Sequence, residues 1–261
     1  MIRLSVVIPT LNEAANIARC IRSVAGLANE ILVVDSFSSD NTAEICRQLG
    51  VRFVQRPFAG YVEQKNWAAG QAAHDYVLAL DGDEALSAEL QRAIAQVKHD
   101  WRHDAYAVNR RSNYCGKWIR HGAWYPDRKV RLFDRRKARY GGINPHEQII
   151  VDSGASCANL NGDLLHFAFD TISEHVNTVN RYSDIKAAEA HRRGQRGGWS
   201  HILLRPPAKF LRDYLLKLGF LDGFYGLVVC TMGAMTNFLK YVKLRQLAEQ
   251  DPHRQRESRS R

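Results

Sequence analysis

The chain of 261 residues has little cysteine and little proline, 5 and 7 residues, and its 18 glycines follow no short repeat. Cys20, Cys46, Cys115, Cys157 and Cys230 are scattered singly, with no C-x-x-C among them. That spacing argues against a structural zinc site and against a disulfide framework, and it fits a reducing compartment. Collagen-like, coiled-coil and low-complexity architectures are excluded on the same composition. No Walker lysine motif is present and no G-x-G-x-x-G follows the first strand pattern, so a P-loop nucleotidase or a dinucleotide dehydrogenase is poorly supported. The start of the chain carries one basic residue, Arg3, and passes directly into a strand pattern without an apolar leader core or cleavage site. This predicts a cytoplasmic location. With 45% hydrophobic and 25% charged residues, the chain has the make-up of a folded globular protein.

Acidic charge is scarce in one place only. Residues 1–180 hold 21 basic and 20 acidic side chains, whereas residues 181–261 hold 16 and 7, so most of the net charge of +10 belongs to the last third. Basic surfaces meet nucleic acid, acidic lipid headgroups or phosphorylated substrates. Here the cations are interleaved with large apolar side chains and no RNA- or DNA-binding motif accompanies them, which argues against nucleic acid. Residues 219–239 contain Asp222 as their only charge; Lys209, Arg212 and Lys217 precede them, and Lys240, Lys243 and Arg245 follow. Such a pattern predicts a helix lying in an anionic membrane surface. A helical hairpin packed on the rest of the chain, a dimer interface and a spanning helix are the alternatives.

Apolar runs at residues 4–9, 30–35, 51–54 and 76–81 read as buried strands. Between them, residues 12–24, the stretch after Ser39-Asp40-Asn41-Thr42, residues 61–73 and residues 87–98 read as helices. Strands alternating with helices indicate a parallel sheet covered on both faces. After residue 104 the alternation fades: residues 105–114 and 130–133 look like strands, separated by a Gly-, Trp- and Tyr-rich stretch. Residues 171–193 read as a polar helix, Pro206-Pro207 as a break, and residues 208–247 as a long helix or a pair of helices.

Asp35 and Asp81 end two of these strands, Asp83 and Glu84 follow at once, and Glu13 lies in the turn after the first. Ligand crevices of open parallel sheets lie at the carboxyl ends of the strands, so these acids are expected to converge. Two carboxylates one residue apart, as in Asp81-Gly82-Asp83, can hold a hard divalent cation that also meets phosphate oxygens. An ordinary acidic turn is the competing reading.

Residues 5–13 (SVVIPTLNE), 31–42 (ILVVDSFSSDNT), 64–68 (QKNWA) and 80–84 (LDGDE) together resemble a family-2 inverting glycosyltransferase of GT-A fold. More narrowly, residues 121–127 (HGAWYPD), 130–133 (VRLF), 145–147 (PHE) and 219–223 (GFLDG) resemble the lipopolysaccharide inner-core β-1,4-glucosyltransferase branch. The resemblance implies an α/β nucleotide-diphospho-sugar transferase fold, a Rossmann-like mixed sheet with helices on both faces and a C-terminal helical appendage. It divides the chain into a catalytic domain at 1–170, with a nucleotide-sugar half at 1–100 and an acceptor half at 101–170. A helical membrane-docking region at 171–250 and a basic disordered tail at 251–261 complete it. Pro9, Thr10, Glu13, Asp35, Lys65, Asn66 and Asp81 would bind the nucleotide, with Asp35 accepting from a uracil N–H. Asp81 and Asp83 would hold Mg²⁺ or Mn²⁺ on the diphosphate of a UDP-sugar. Glu147 or Asp127 would be the general base. Arg128, Arg131, His146 and His166 would contact phosphate or acceptor, and His166 could complete the metal shell or sit in the core. The implied reaction moves glucose from UDP-glucose to a lipopolysaccharide core sugar, peripherally on the inner face of the cytoplasmic membrane. Another donor such as ADP-heptose, another lipid-linked or polysaccharide acceptor, and a non-catalytic sugar-nucleotide-binding scaffold are the alternatives.

Overall fold

Strand β1 (Leu4–Thr10) sends alternate side chains into two separate apolar cores. Leu4, Val6 and Ile8 enter one and Val7 the other. The same split recurs in β2 (Glu30–Asp35), where Val33 opposes Leu32 and Val34, and in β4 (Tyr76–Ala79), where Leu78 opposes Val77 and Ala79. A parallel strand covered by helices on each side requires apolar residues on both its faces. In the computed structural model, which describes residues 1–143 and 146–250, β1 lies parallel between β2 and β4, and β3 (Arg52–Gln55) adds parallel to β2. The side chains of Ile143 and His146 lie outside the described residues, as does the tail assigned to 251–261.

Helix α1 (Ile17–Val24) turns Ile17, Cys20, Ile21 and Val24 into the first core, and α4 (Ala88–His99) adds Leu90 and Ile94. Helix α2 (Thr42–Gln48) contributes Cys46 to the same core. Helix α3 (Tyr61–Gly70) covers the opposite face with Ala68. Ser87 caps α4 by accepting from the Leu90 amide. Within the Ser39–Thr42 stretch that precedes α2, Asp40 accepts from the Thr42 amide and hydroxyl, while Asn41 makes no capping bond.

Beyond β4 the sheet turns antiparallel. Strand β8 (Asp127–Asp134) pairs with β4, and β6 (Ala105–Tyr114) pairs with β8. Strand β11 (Cys157–Phe169) pairs antiparallel with β5 (Glu84–Leu86). The order is β3-β2-β1-β4-β8-β6-β11-β5, with β7 (Lys117–Trp118) on β6. Strands β9 (Ala138–Ile143) and β10 (His146–Val151) pair in a small sheet of their own. The apolar pattern of residues 84–86 and 138–169 is too short or too polar to signal β5, β9, β10 and β11 in the sequence. Gly162 of β11 has φ +93°, and a Cβ there would stand 2.3 Å from the Leu90 amide nitrogen.

The chain divides into two compact units, Met1–Ser112 with Pro126–Ala168, and Asn113–Tyr125 with Phe169–Arg261. The second unit thus takes in residues 113–125, which the division at residue 170 assigns to the acceptor half. It holds α5 (Ile172–Arg192), α6 (Trp199–Leu211), a π-helical turn Arg212–Leu216, a 3-10 turn Gly219–Asp222 and α7 (Gly223–Gln250). Thr171 and Glu174 form a reciprocal capping box that starts α5. Ala187, Ala190, Ile202, Tyr241 and Leu244 form a core among α5, α6 and α7.

Pro206 and Pro207 do not break the chain; both lie inside α6. A proline deletes the bond to the carbonyl four residues back, here those of Ile202 and Leu203. Pro206 and Ile202 are buried on one side of the helix, and that packing carries the helix through the defect. A second, aromatic cluster surrounds His175, which stacks on Phe169 at 4.5 Å between ring centres and bonds through Nδ1 to the Tyr114 hydroxyl at 3.1 Å.

Two stability predictions result. Gly162→Ala forces a left-handed backbone and a clash with α4, so it should cost about 3 kcal/mol, read as a lowered urea midpoint. Burial pushes the His175 imidazole down from 6.5 to about 4. Its neutral form therefore supports the fold above pH 6.5, and that support is lost as pH falls from 6.5 toward 4, because the unfolded chain takes the proton first. In urea melts, the change from pH 7 to pH 5 should be less favourable in the wild type than in His175→Phe by on the order of 2 kcal/mol.

Candidate active site

Thr10, Asp35 and Asp81 stand at the carboxyl ends of neighbouring parallel strands, so the convergence that the sequence predicts is present. Gly82 makes the approach close: a Cβ there would lie 2.7 Å from Glu13 Cγ and 3.1 Å from Thr10 Cγ2. Burial, with Asp83 and Asp81 nearby, lifts the Glu13 carboxyl to about 7. Pro9 is half-buried beside Thr10.

Asp81 differs from its expected role. Its Oδ1 receives Lys65 Nζ at 2.7 Å and its Oδ2 receives Arg131 Nη2 at 2.9 Å, so both oxygens are engaged by cations rather than free for a metal. Burial by itself would raise this carboxyl, but Lys65 and Arg131 hold it far below the ordinary carboxylate range. Lys65 also donates to Glu147 Oε1 at 2.8 Å, and Arg131 to Glu84 Oε1 at 2.6 Å. Glu84 is fully buried and accepts from the Asp81 amide through Oε2, which fixes the turn. Burial, ahead of the opposing pull of Arg131, lifts the Glu84 carboxyl. Arg110 Nη1 lies 3.9 Å from Glu84 Oε1, and Arg110 Nη2 reaches Asp127 Oδ2 at 2.8 Å. A continuous chain of charges therefore runs Glu147, Lys65, Asp81, Arg131, Glu84, Arg110, Asp127. Both candidate bases are its ends.

The two ends are not equivalent. Asp127 is paired with Arg110 and also with Lys129 at 3.2 Å. Glu147 has one oxygen on Lys65, while Oε2 is buried and has no partner among the described residues. An unpartnered buried carboxylate oxygen is costly unless something else binds there.

Local structure explains the placement of Glu147. Asn66 donates to the Tyr140 carbonyl at 2.9 Å and accepts from the Tyr140 amide at 2.9 Å, pinning β9 against α3. Glu147 on β10 pairs opposite Gly142 on β9 and so meets Lys65, the neighbour of Asn66. Asn66 is thus a clamp between elements rather than the nucleotide contact that the resemblance implies. Asp35 also differs: it is completely buried, bonded to the Ser38 amide at 2.9 Å, to Gln55 at 3.1 Å, and to the hydroxyls of Thr10 and Ser38. It shapes the loop after β2 instead of presenting an acceptor to a base. Arg131 is buried within the charge chain and is not a free phosphate contact, whereas Arg128 is exposed on β8.

His166 lies opposite Glu84 in the β5–β11 pair, which brings its Nε2 to 3.2 Å from Asp83 Oδ2. Its Nδ1 lies 3.0 Å from the Ser112 hydroxyl. It therefore belongs to the site and not to the core. Among the described residues no group of three or more His, Cys, Asp or Glu side chains forms a metal cage. Asp83 and His166 supply an oxygen and a nitrogen donor side by side, and a hard cation held mainly by phosphate oxygens needs few protein ligands. The pair fits such an ion; Asp81 does not.

Arg110 and Ser112 are not singled out by any motif. The signal for them is a period of two: Tyr106 and Val108 of β6 enter the first core, and the next two residues on that face are polar.

Residues 5–157 match the family Glycosyl transferase family 2. The chain belongs to that family. An uncharacterized glycosyltransferase of Rickettsia typhi is 31% identical over 95% of this chain and 88% of its own length. The lipopolysaccharide core biosynthesis glycosyltransferase LpsC of Rhizobium meliloti is 31% identical over 93% of this chain and 92% of its own. Among solved structures, the mannosyltransferase PcManGT of Pyrobaculum calidifontis, in complex with GDP-Man and Mn²⁺, matches with a TM-score of 0.54 at 16% identity, covering 96% of this chain and 88% of that one. The fold is of the GT-A type with a C-terminal helical appendage, and the family-2 chain is a transferase.

In this transferase the Lys65 cation is the link between Asp81 and Glu147. Lys65→Met should cost about 3–4 kcal/mol, because it leaves two inward carboxylates short of a partner. Adding Glu147→Leu should return at least about 1 kcal/mol of that loss in urea denaturation.

Proposed function

We propose that this family-2 enzyme transfers glucose, with inversion, from UDP-glucose to a core sugar of lipopolysaccharide on the inner face of the cytoplasmic membrane. The observation that carries the reading is the Glu147 carboxylate, held by Lys65 beside the Asp81-Gly82-Asp83 turn with one buried oxygen that has no partner among the described residues. The lipopolysaccharide-core relative of similar length supports the acceptor class.

Inverting displacement needs one base, placed opposite the leaving nucleotide. Glu147 Oε2 takes the proton of the acceptor hydroxyl as its oxygen bonds to the anomeric carbon, while the carbon–oxygen bond to the diphosphate breaks. Lys65 fixes the orientation of the base through Oε1. Pro9, Thr10 and Glu13 line the nucleotide side. Arg128 is the exposed cation available to phosphate or acceptor; the side chain of His146, a further candidate, lies outside the described residues. Asp83 and His166 would hold Mg²⁺ or Mn²⁺, whose chemistry there is to neutralise charge on the departing diphosphate.

The test is acceptor-dependent UDP release from UDP-glucose, beside ADP- and GDP-sugars, with a truncated lipopolysaccharide acceptor. Glu147→Gln should lower kcat by about 10²–10⁴-fold with UDP affinity unchanged. Asp83→Ala should abolish stimulation by Mn²⁺. An unchanged rate in Glu147→Gln would transfer the base to Asp127, and release from another donor would replace glucose.

A further inference from the structure

The turn joining α6 to α7 presents its large apolar side chains outward. Leu211, Leu215, Leu216, Leu218, Leu221 and Phe224 are all exposed, Leu216 at 80% and Phe224 at 65%. Such a run on a surface marks an interaction site. The partner is indicated by the charges around it. Asp213 and Asp222 are the acids of the turn, and both are withdrawn from the surface, with side chains 1% and 8% exposed. Asp213 is bonded by Lys209 and Arg212. Asp222 accepts from the Arg120 amide at 3.0 Å, from the His121 amide at 2.8 Å and lies 3.1 Å from His121 Nδ1. Arg205, Arg212 and Lys217 remain exposed. The outward surface of the turn is therefore apolar and cationic at once, and its acids have been turned inward.

We propose that this turn inserts shallowly into an anionic lipid bilayer, with Leu216, Leu221 and Phe224 among the acyl chains and Lys217 and Arg212 at the phosphates. By length and composition the helical stretch Gly219–Gln250 is apolar enough to cross a membrane, and only 22% of its most apolar window is buried. Crossing conflicts with its packing. The later turns of α7 hold Tyr241 and Leu244 against Ala187 and Ala190 of α5, and Lys243 pairs with Asp184 of α5 at 2.6 Å. Helix α5 also bears Glu174, Glu189, Arg181 and Arg192, which could not follow α7 into hydrocarbon. Insertion is thus confined to the turn. The inference gives the membrane location in the proposed function a physical contact, and it is tested without donor or acceptor, so its failure leaves the transferase reading intact.

The experiment is co-sedimentation of the full chain with vesicles of phosphatidylglycerol in phosphatidylethanolamine, beside vesicles of phosphatidylcholine alone. The wild type should pellet with the anionic vesicles and be released by alkaline carbonate. Leu216→Ser/Leu221→Ser/Phe224→Ser should weaken binding at least about tenfold with an unchanged melting temperature, since the side chains are exposed. If that variant melts early, Phe224→Ser alone should still weaken binding several-fold. Lys217→Glu should remove much of the preference for anionic over neutral vesicles. Undiminished binding by the serine variants, equal binding to neutral vesicles, no binding by the wild type, or retention after carbonate would each overturn shallow anionic insertion. So would light scattering that shows a wild-type dimer split by the triple variant without any lipid binding.

Discussion

Lys65 holds one oxygen of Asp81 and Arg131 holds the other, while Glu147 and Glu84 occupy the remaining reach of those two cations. Charges withdrawn from water persist as ions only when each has partners, because the desolvation cost of an isolated one exceeds what packing returns. The arrangement is therefore mutually dependent. Removing a cation strands two carboxylates, and moving a carboxylate strands a cation. Such a network adds little net stability compared with apolar packing, but it constrains geometry closely. The Asp81-Gly82-Asp83 turn, the orientation of Glu147 and the path of β8 through Arg131 are all set by it.

The sheet makes that network by bringing distant segments to one edge. Parallel strands β1, β2 and β4 place the ends of their runs together, and the antiparallel strands β6 and β8 deliver Arg110 and Arg131 to the same region. The small β9–β10 sheet, fastened to α3 by Asn66, supplies Glu147. The β5–β11 pair sets His166 beside Asp83. Glu147, Arg110, Arg131 and His166 are thus mounted on strands whose positions are determined by backbone bonding, while Asp81 and Asp83 sit on the short turn between β4 and β5, which gives a largely preorganised site.

In the helical unit the same principle of pairing acids inward has a different consequence. Asp213 and Asp222 are satisfied by Lys209, Arg212 and the backbone of residues 120 and 121, which both holds the α6–α7 turn and strips the exposed surface of negative charge.

Apart from the three-residue β5, the order of strands and helices through residue 99 is legible in the sequence, because apolar runs and amphipathic spacing are local properties of the chain. So is the gathering of Glu13, Asp35, Asp81 and Asp83, since an acid at the end of a parallel strand has only one place to go. The family likewise follows from contiguous motifs. The partners of individual site residues are visible only in the tertiary structure. Asp35, Asn66 and Arg131 carry the right chemistry for a ligand, yet their partners Ser38, Tyr140, Asp81 and Glu84 engage them within the protein. Ser38 lies three positions from Asp35, but Tyr140 is 74 from Asn66 and Glu147 82 from Lys65. No local pattern reports a bond across such separations. Hydrogen bonding and ion pairing depend on distance in space, and only the completed sheet brings those groups within reach.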